Sequence, residues 1–177
     1  MTRKEILQRA YEILENVTPL RLDCGSLCDR ACCLGPEGED EDRGMLLFPG
    51  EEEFFEDCSD WMTLKPAAPI YPNQVLAVCK GTCPRNRRPL ACRIYPLTPY
   101  LTEDNILLIK MDPRAAGQCP LTVGAGRRNL QPEFIKAVRK VSRLLLTEPS
   151  LSEYITSLSR MLDEYVQDPL YLHITSL

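Results

Sequence analysis

Residues 24–33 read CGSLCDRACC and place Cys24, Cys28, Cys32 and Cys33 within one short stretch. The stretch reads as loop, not as a regular helix or strand. What it offers is thiolate, a soft and strongly donating ligand that suits Zn²⁺, Cu(I) or an iron–sulfur cluster. Residues 79–93, CKGTCPRNRRPLACR, hold a second group, Cys79, Cys83 and Cys92, and Cys119 follows in GQCP. With Cys33 counted, these thiols suffice for one four-ligand site with spares, or for two sites sharing a region. The first stretch thus reads as one half of a site, and the fold has to bring the second half to it.

A disulfide framework fits these cysteines poorly. There are nine in the chain, an odd number, and two of them are sequence neighbours. Residues 1–17, MTRKEILQRAYEILENV, spread their charges through the segment and show no apolar block before a cleavage site, unlike a signal peptide. A cytoplasmic protein with reduced thiols is therefore expected. No apolar run approaches the length of a membrane helix. The net charge of −4 gives the whole chain no nucleic-acid signature.

Around the cysteines, the patterning predicts a single α+β domain over residues 1–177. Its centre is a loop-rich cysteine-cluster region of about 20–122 with a few short strands, and amphipathic helices flank it. The first helix is expected over residues 3–17. Thr2 and Glu5 form a capping box, and Ile6, Leu7, Ala10, Ile13, Leu14 and Val17 make one apolar stripe. Residues 45–48 suit a short strand, and the glutamates after Pro49 suit the first turn of a helix. Residues 75–79, VLAVC, suit a strand that delivers Cys79. Residues 94–101 and 105–111 read as a hairpin around TEDN. A C-terminal helical hairpin is expected over about 131–167. Its first helix opens at Pro132, and its second opens at Ser150 with a Ser150–Glu153 capping box. The acidic run GPEGEDEDRG, 35–44, reads as a solvated loop. Cys58, isolated in FEDCSD, reads as a small buried hydrophobe.

The only histidine is His173. A Cys₂His₂ metal site and a histidine-based triad are both disfavoured, so an all-thiolate site is expected and no catalytic residue is read. A reactive cysteine near Arg93 would lack a nearby base. Arg88 and Arg93 lie beside three of the candidate ligands, where guanidinium groups can hydrogen-bond sulfur and lower thiol pKa values.

In order along the chain, CGSLCDRACC, MLLFPGEEEFF and the segment Cys83-x4-Arg88-Pro89-x2-Cys92-Arg93-x-Tyr95-Pro96 resemble the YkgJ-like cysteine-cluster family, described as zinc- or iron-chelating proteins. The resemblance covers about residues 24–120. It implies metal ligation by Cys24, Cys28, Cys32, Cys33, Cys83 and Cys92, with Cys79 beside them, and leaves open which sulfurs share a metal. The spacing of the first cysteines and the gap before Cys83 depart from the family's common pattern. A zinc or iron site that organises the fold is the first expectation. An iron–sulfur protein, acting as electron carrier or as accessory to a modification enzyme, is the alternative.

Overall fold

The structure is a computed structural model, and it describes residues 1–22, 24–34, 44–55, 57–67, 70–81, 83–124 and 126–168. His173 and residues 35–43 of the acidic run lie outside the described residues. Among the described residues, five α-helices and two small antiparallel sheets make an α+β fold.

Helix α1, Arg3–Ile13, carries the expected capping box: Thr2 Oγ1 accepts from the Glu5 N–H at 3.3 Å, and the Glu5 carboxylate accepts from the Thr2 N–H at 2.8 Å. The helix stops short of residue 17. Beyond Ile13 the chain tightens, with N–H groups of Glu15 and Val17 bonding three residues back to Glu12 and Leu14 ahead of Pro19. Ile6, Leu7, Ala10 and Leu14 bury the inner face.

Strands β1 (Gly44–Leu46), β2 (Met62–Pro66) and β3 (Val75–Cys79) form one sheet in the order β1-β3-β2. Pairing is antiparallel, with Leu46 opposite Leu76 and Met62 opposite Cys79. The strand at 75–79 lies where the sequence puts it. The strand β2 is an addition; its short, mixed pattern ends in Lys65-Pro66, which suits a sheet edge. After β1 the chain runs extended, so Leu47 and Phe48 point to opposite sides. Phe48 joins the main core, and Leu47 joins a smaller one with Phe55, Cys58, Met62 and Ala77. The glutamates after Pro49 form a single 3₁₀ turn, Glu51–Phe54.

The second sheet is the expected hairpin, β4 (Leu97–Leu101) and β5 (Leu107–Met111), in register from Leu97–Met111 to Leu101–Leu107. Its first arm begins later than expected because Leu90–Ile94 forms a one-turn helix, α3. Leu90 and Ile94, one turn apart, are both buried. Five residues are too few to show helical periodicity in sequence.

Helix α4, Pro132–Leu145, lies against α1 and the β4–β5 hairpin; α5, Pro149–Gln167, lies against β4. Ser159 of α5 ties the two together. Its hydroxyl accepts from the Leu101 N–H at 2.9 Å and donates to the Ile155 carbonyl at 2.7 Å. The start of α5 corrects one expectation. Glu148, not Ser150, is the N-cap, its carboxylate accepting from the Leu151 N–H at 2.8 Å. Pro149 takes the first helical position, where no N–H is needed. Ser150 therefore falls inside the first turn, and its hydroxyl donates to Glu148 at 2.5 Å.

Candidate functional site

The first cysteine group is built by a tight double turn. Cys24–Leu27 forms a 3₁₀ turn, and Asp29 and Arg30 then take left-handed backbone conformations with φ of 46° and 60°. Neither is glycine, so each is held at a conformational cost that the surrounding bonds offset. The Arg30 N–H bonds back to the Gly25 carbonyl at 3.0 Å, and the Ala31 N–H to the Cys28 carbonyl at 2.9 Å. The reversal launches a one-turn helix, α2 (Ala31–Leu34), which holds Cys32 and Cys33.

The second group arrives by three routes. Cys79 stands at the end of β3, and Cys83 follows a turn at Gly81, whose φ of 96° requires the left-handed freedom of glycine. Cys92 lies on α3. These elements meet around a cavity of about 60 Å³ lined by Cys24, Cys32, Cys33, Cys79, Cys83 and Cys92. Gly44 of β1 also borders it, packed so close to β3 that an added Cβ would lie 2.2 Å from the Ala77 carbonyl oxygen. The Cys32 and Cys33 sulfurs are 3.9 Å apart. None of the nine cysteines is in a disulfide.

Cys32, Cys33 and Cys79 hydrogen-bond one another through their thiols. Hydrogen bonds from Cys32 and Cys79 hold the Cys33 thiol well below its ordinary range, against burial, and the Arg88 and Arg30 charges lower it further. Those two donors are correspondingly pushed up, first by donating to Cys33 and then by burial. Burial raises Cys92 and Cys83, and at Cys83 a hydrogen bond from Arg88 opposes it. Two thiol neighbours and two guanidinium groups thus favour a thiolate within this group of sulfurs.

Cys28 and Cys119 lie to one side. The Cys28 thiol donates to the Cys24 carbonyl at 3.8 Å, and burial raises the Cys119 thiol, with Cys28 and Cys24 close enough to add to the effect. Gln118 joins this side to the main cavity. It accepts from the Tyr95 hydroxyl at 3.1 Å and donates to the Ala31 carbonyl at 3.2 Å. Cys58 is buried in the smaller core, its thiol 3.7 Å from the Met62 carbonyl.

The arginines divide. Arg88 borders the thiol cavity, as the sequence suggested, and Arg30 borders it too, which the sequence reading missed. Arg93 lies outside that lining. Its guanidinium donates to the carbonyls of Arg88 and Asn86 at 3.0 and 2.6 Å and lies 4.6 Å from the Tyr11 ring centre.

Glu51 was also missed as part of this framework. It is fully buried, and its carboxylate accepts from the Phe48 N–H at 2.8 Å, the Leu90 N–H at 2.5 Å and the Tyr11 hydroxyl. Burial pushes its carboxyl up, against the pull of those donors. It clamps α1, the chain after β1 and the start of α3 together, directly behind Cys92. The signal was present as a glutamate within an apolar context, LLFPGE, but only the donors that surround it explain its burial.

The donor set passes a chemical test for a thiophilic metal. Zinc–sulfur bonds of about 2.3 Å in a tetrahedron put sulfurs about 3.8 Å apart, close to the observed Cys32–Cys33 separation. The two arginines offset the negative charge that a four-thiolate site leaves. Among the described residues, no group of three or more His, Cys, Asp or Glu side chains is already arranged to hold a metal ion. A cysteine sulfur moves between staggered positions about one bond, and closure of these sulfurs on a metal is the adjustment a metal site would require.

Comparison with the models of known protein families, with curated proteins and with solved structures gave no match. No helix among the described residues is long and apolar enough to cross a membrane.

Proposed function

We propose that this protein binds zinc or iron through its cysteine cluster, with Cys24, Cys32, Cys33, Cys79, Cys83 and Cys92 as the donors that line one cavity and Cys28 and Cys119 as a flanking set. One observation carries the proposal: thiols from separate segments of the chain line a single cavity beside two arginines. The resemblance of CGSLCDRACC and of the Cys83–Pro96 segment to the YkgJ-like cysteine-cluster family gives the same expectation. A metal bound here would cross-link α2, β3 and α3, and metal binding of that kind contributes directly to folding. Its binding would displace the protons of the ligating thiols. Reduced thiols are required, which suits the cytoplasm.

A second reading has its own support. The flanking thiols exceed what one tetrahedral zinc needs, and a set of this size also suits an iron–sulfur cluster in an electron carrier or an accessory to a modification enzyme. Purification without oxygen, followed by elemental analysis and a visible spectrum on the same sample, tests both. The zinc form is colourless and holds stoichiometric zinc. The cluster form is brown and holds iron with acid-labile sulfide. A protein that takes up neither metal, as isolated or after reconstitution under reducing conditions, refutes the proposal.

A further inference from the structure

Helix α2 carries Cys32 and Cys33 side by side. Adjacent residues of a helix point about 100° apart and do not share a face, so the two thiols meet different neighbours. Cys33 belongs with the second cysteine group. Every pair among Cys33, Cys79, Cys83 and Cys92 stands close enough for one group to act on the other through charge or a hydrogen bond. Arg88 acts on three of the four, Cys33, Cys83 and Cys92, a cation against the negative charge of four thiolates. Those four already make a full tetrahedral set. Cys32 is surplus to it, although its sulfur lies 3.9 Å from that of Cys33. Cys28 also stands near Cys32, and Cys28 and Cys24 both stand near Cys119. Cys24 lines the cavity together with Cys32. Tyr95 lies near both Cys119 and Cys32. Gln118, the neighbour of Cys119, accepts from the Tyr95 hydroxyl at 3.1 Å and donates to the Ala31 carbonyl of α2 at 3.2 Å. The turn that delivers Cys119 is thereby fastened to the helix that delivers Cys32.

We propose that these eight thiols make two metal centres, Cys33, Cys79, Cys83 and Cys92 holding one metal and Cys24, Cys28, Cys32 and Cys119 holding a second. Both centres presuppose metal binding by the cluster. Four thiolates complete the coordination of a thiophilic metal such as zinc, and eight thiols divide into two such sets with Cys32 and Cys33 on their facing edges. The second set draws three of its sulfurs from one short stretch, spaced four residues apart, so only Cys119 has to be brought from a distance; closing so short a loop costs little entropy. The centres differ in access. Cys32 is the exposed thiol of the nine, and Cys33, Cys79, Cys83 and Cys92 are all partly buried. The first centre joins α2, β3 and α3 and so braces the fold. The second has an edge open to solvent, and its metal is the exchangeable one.

The test supplies the reduced full-length protein with Zn²⁺ without oxygen, desalts it and counts the metals per chain by native mass spectrometry. Two zinc ions are expected. Timed exposure to EDTA is expected to remove them in two steps, through a species that holds one. The double variant Cys28→Ser/Cys119→Ser is expected to hold one zinc, to lose the early step and to keep the far-UV circular dichroism of the unmodified protein. The count and the two-step release are read on the unmodified protein and are decisive whether or not the variant folds. One zinc per chain, loss of both zincs in a single step, or two zincs retained by the double variant overturns the two-centre arrangement while leaving metal binding by the cluster standing. A single iron–sulfur cluster with no second metal does the same. A protein that takes up no metal overturns both.

Discussion

Replacing Glu51 tests whether the site's framework is held as described. In Glu51→Ala, the N–H groups of Phe48 and Leu90 and the hydroxyl of Tyr11 lose their acceptor together. An orphaned buried donor costs about 1–3 kcal/mol. A void left by the lost side chain, if water enters it, recovers part of that, so a net loss of about 3–5 kcal/mol is expected. Against a typical total of about 5–15 kcal/mol, the alanine variant stands near the edge of folding. Glu51→Gln is therefore the more informative variant. Its oxygen can still accept, but its NH₂ group faces donors, and a loss of about 2–3 kcal/mol is expected. For a chain of this size that lowers the thermal midpoint by roughly 4–12 °C. The assay is equilibrium urea unfolding followed by far-UV circular dichroism, with the slope checked for constancy, alongside a thermal scan. A Glu51→Gln change below about 0.5 kcal/mol would refute the view that this carboxylate clamps three elements.

Five further substitutions probe other parts of the molecule. Cys33→Ala and Cys92→Ala are each expected to lower metal content sharply in elemental analysis. Cys58→Ala, whose thiol is buried in the smaller core, should leave metal content unchanged and cost about 1 kcal/mol of stability. Gly44→Ala would place a Cβ 2.2 Å from the Ala77 carbonyl oxygen, forcing β1 off β3; a loss of about 1–3 kcal/mol in thermal unfolding is expected. Glu148→Ala removes the α5 cap at a cost of about 1 kcal/mol near neutral pH. Partial burial would raise the Glu148 carboxyl, but hydrogen bonds from Ser150 and Leu151 outweigh it and hold it below its usual range. Its stabilisation is therefore present above the ordinary glutamate value of about 4.3 and is lost as pH falls through the lower folded value. The gap between wild type and variant should close in acid unfolding curves; a gap that persists there would refute the role of the charge.

Where the signal is local and repeated, sequence and structure agree. The capping box of Thr2 and Glu5, the strand VLAVC, the hairpin around TEDN and the helix opening at Pro132 all depend on neighbours within a few residues. Where a choice lay between two adjacent polar groups, the sequence did not suffice. Glu148 and Ser150 are both competent caps, and packing of Pro149 into the first turn selected Glu148. Elements of five residues, such as α3 and β2, left too little pattern to read.

The same division runs through the candidate site. The residue types alone determined what the site can offer: many thiols, nearby arginines and a single histidine remote in sequence make a sulfur-rich donor set. Which thiols meet is a long-range matter. A left-handed reversal at Asp29 and Arg30, the end of β3 and a one-turn helix bring Cys24, Cys32, Cys33, Cys79, Cys83 and Cys92 to one cavity and leave Cys28 and Cys119 beside it. Only the tertiary structure turned Arg93 toward Tyr11, brought Arg30 to the sulfurs and buried Glu51. Each of those outcomes depends on partners distant in sequence, whose approach no local pattern records.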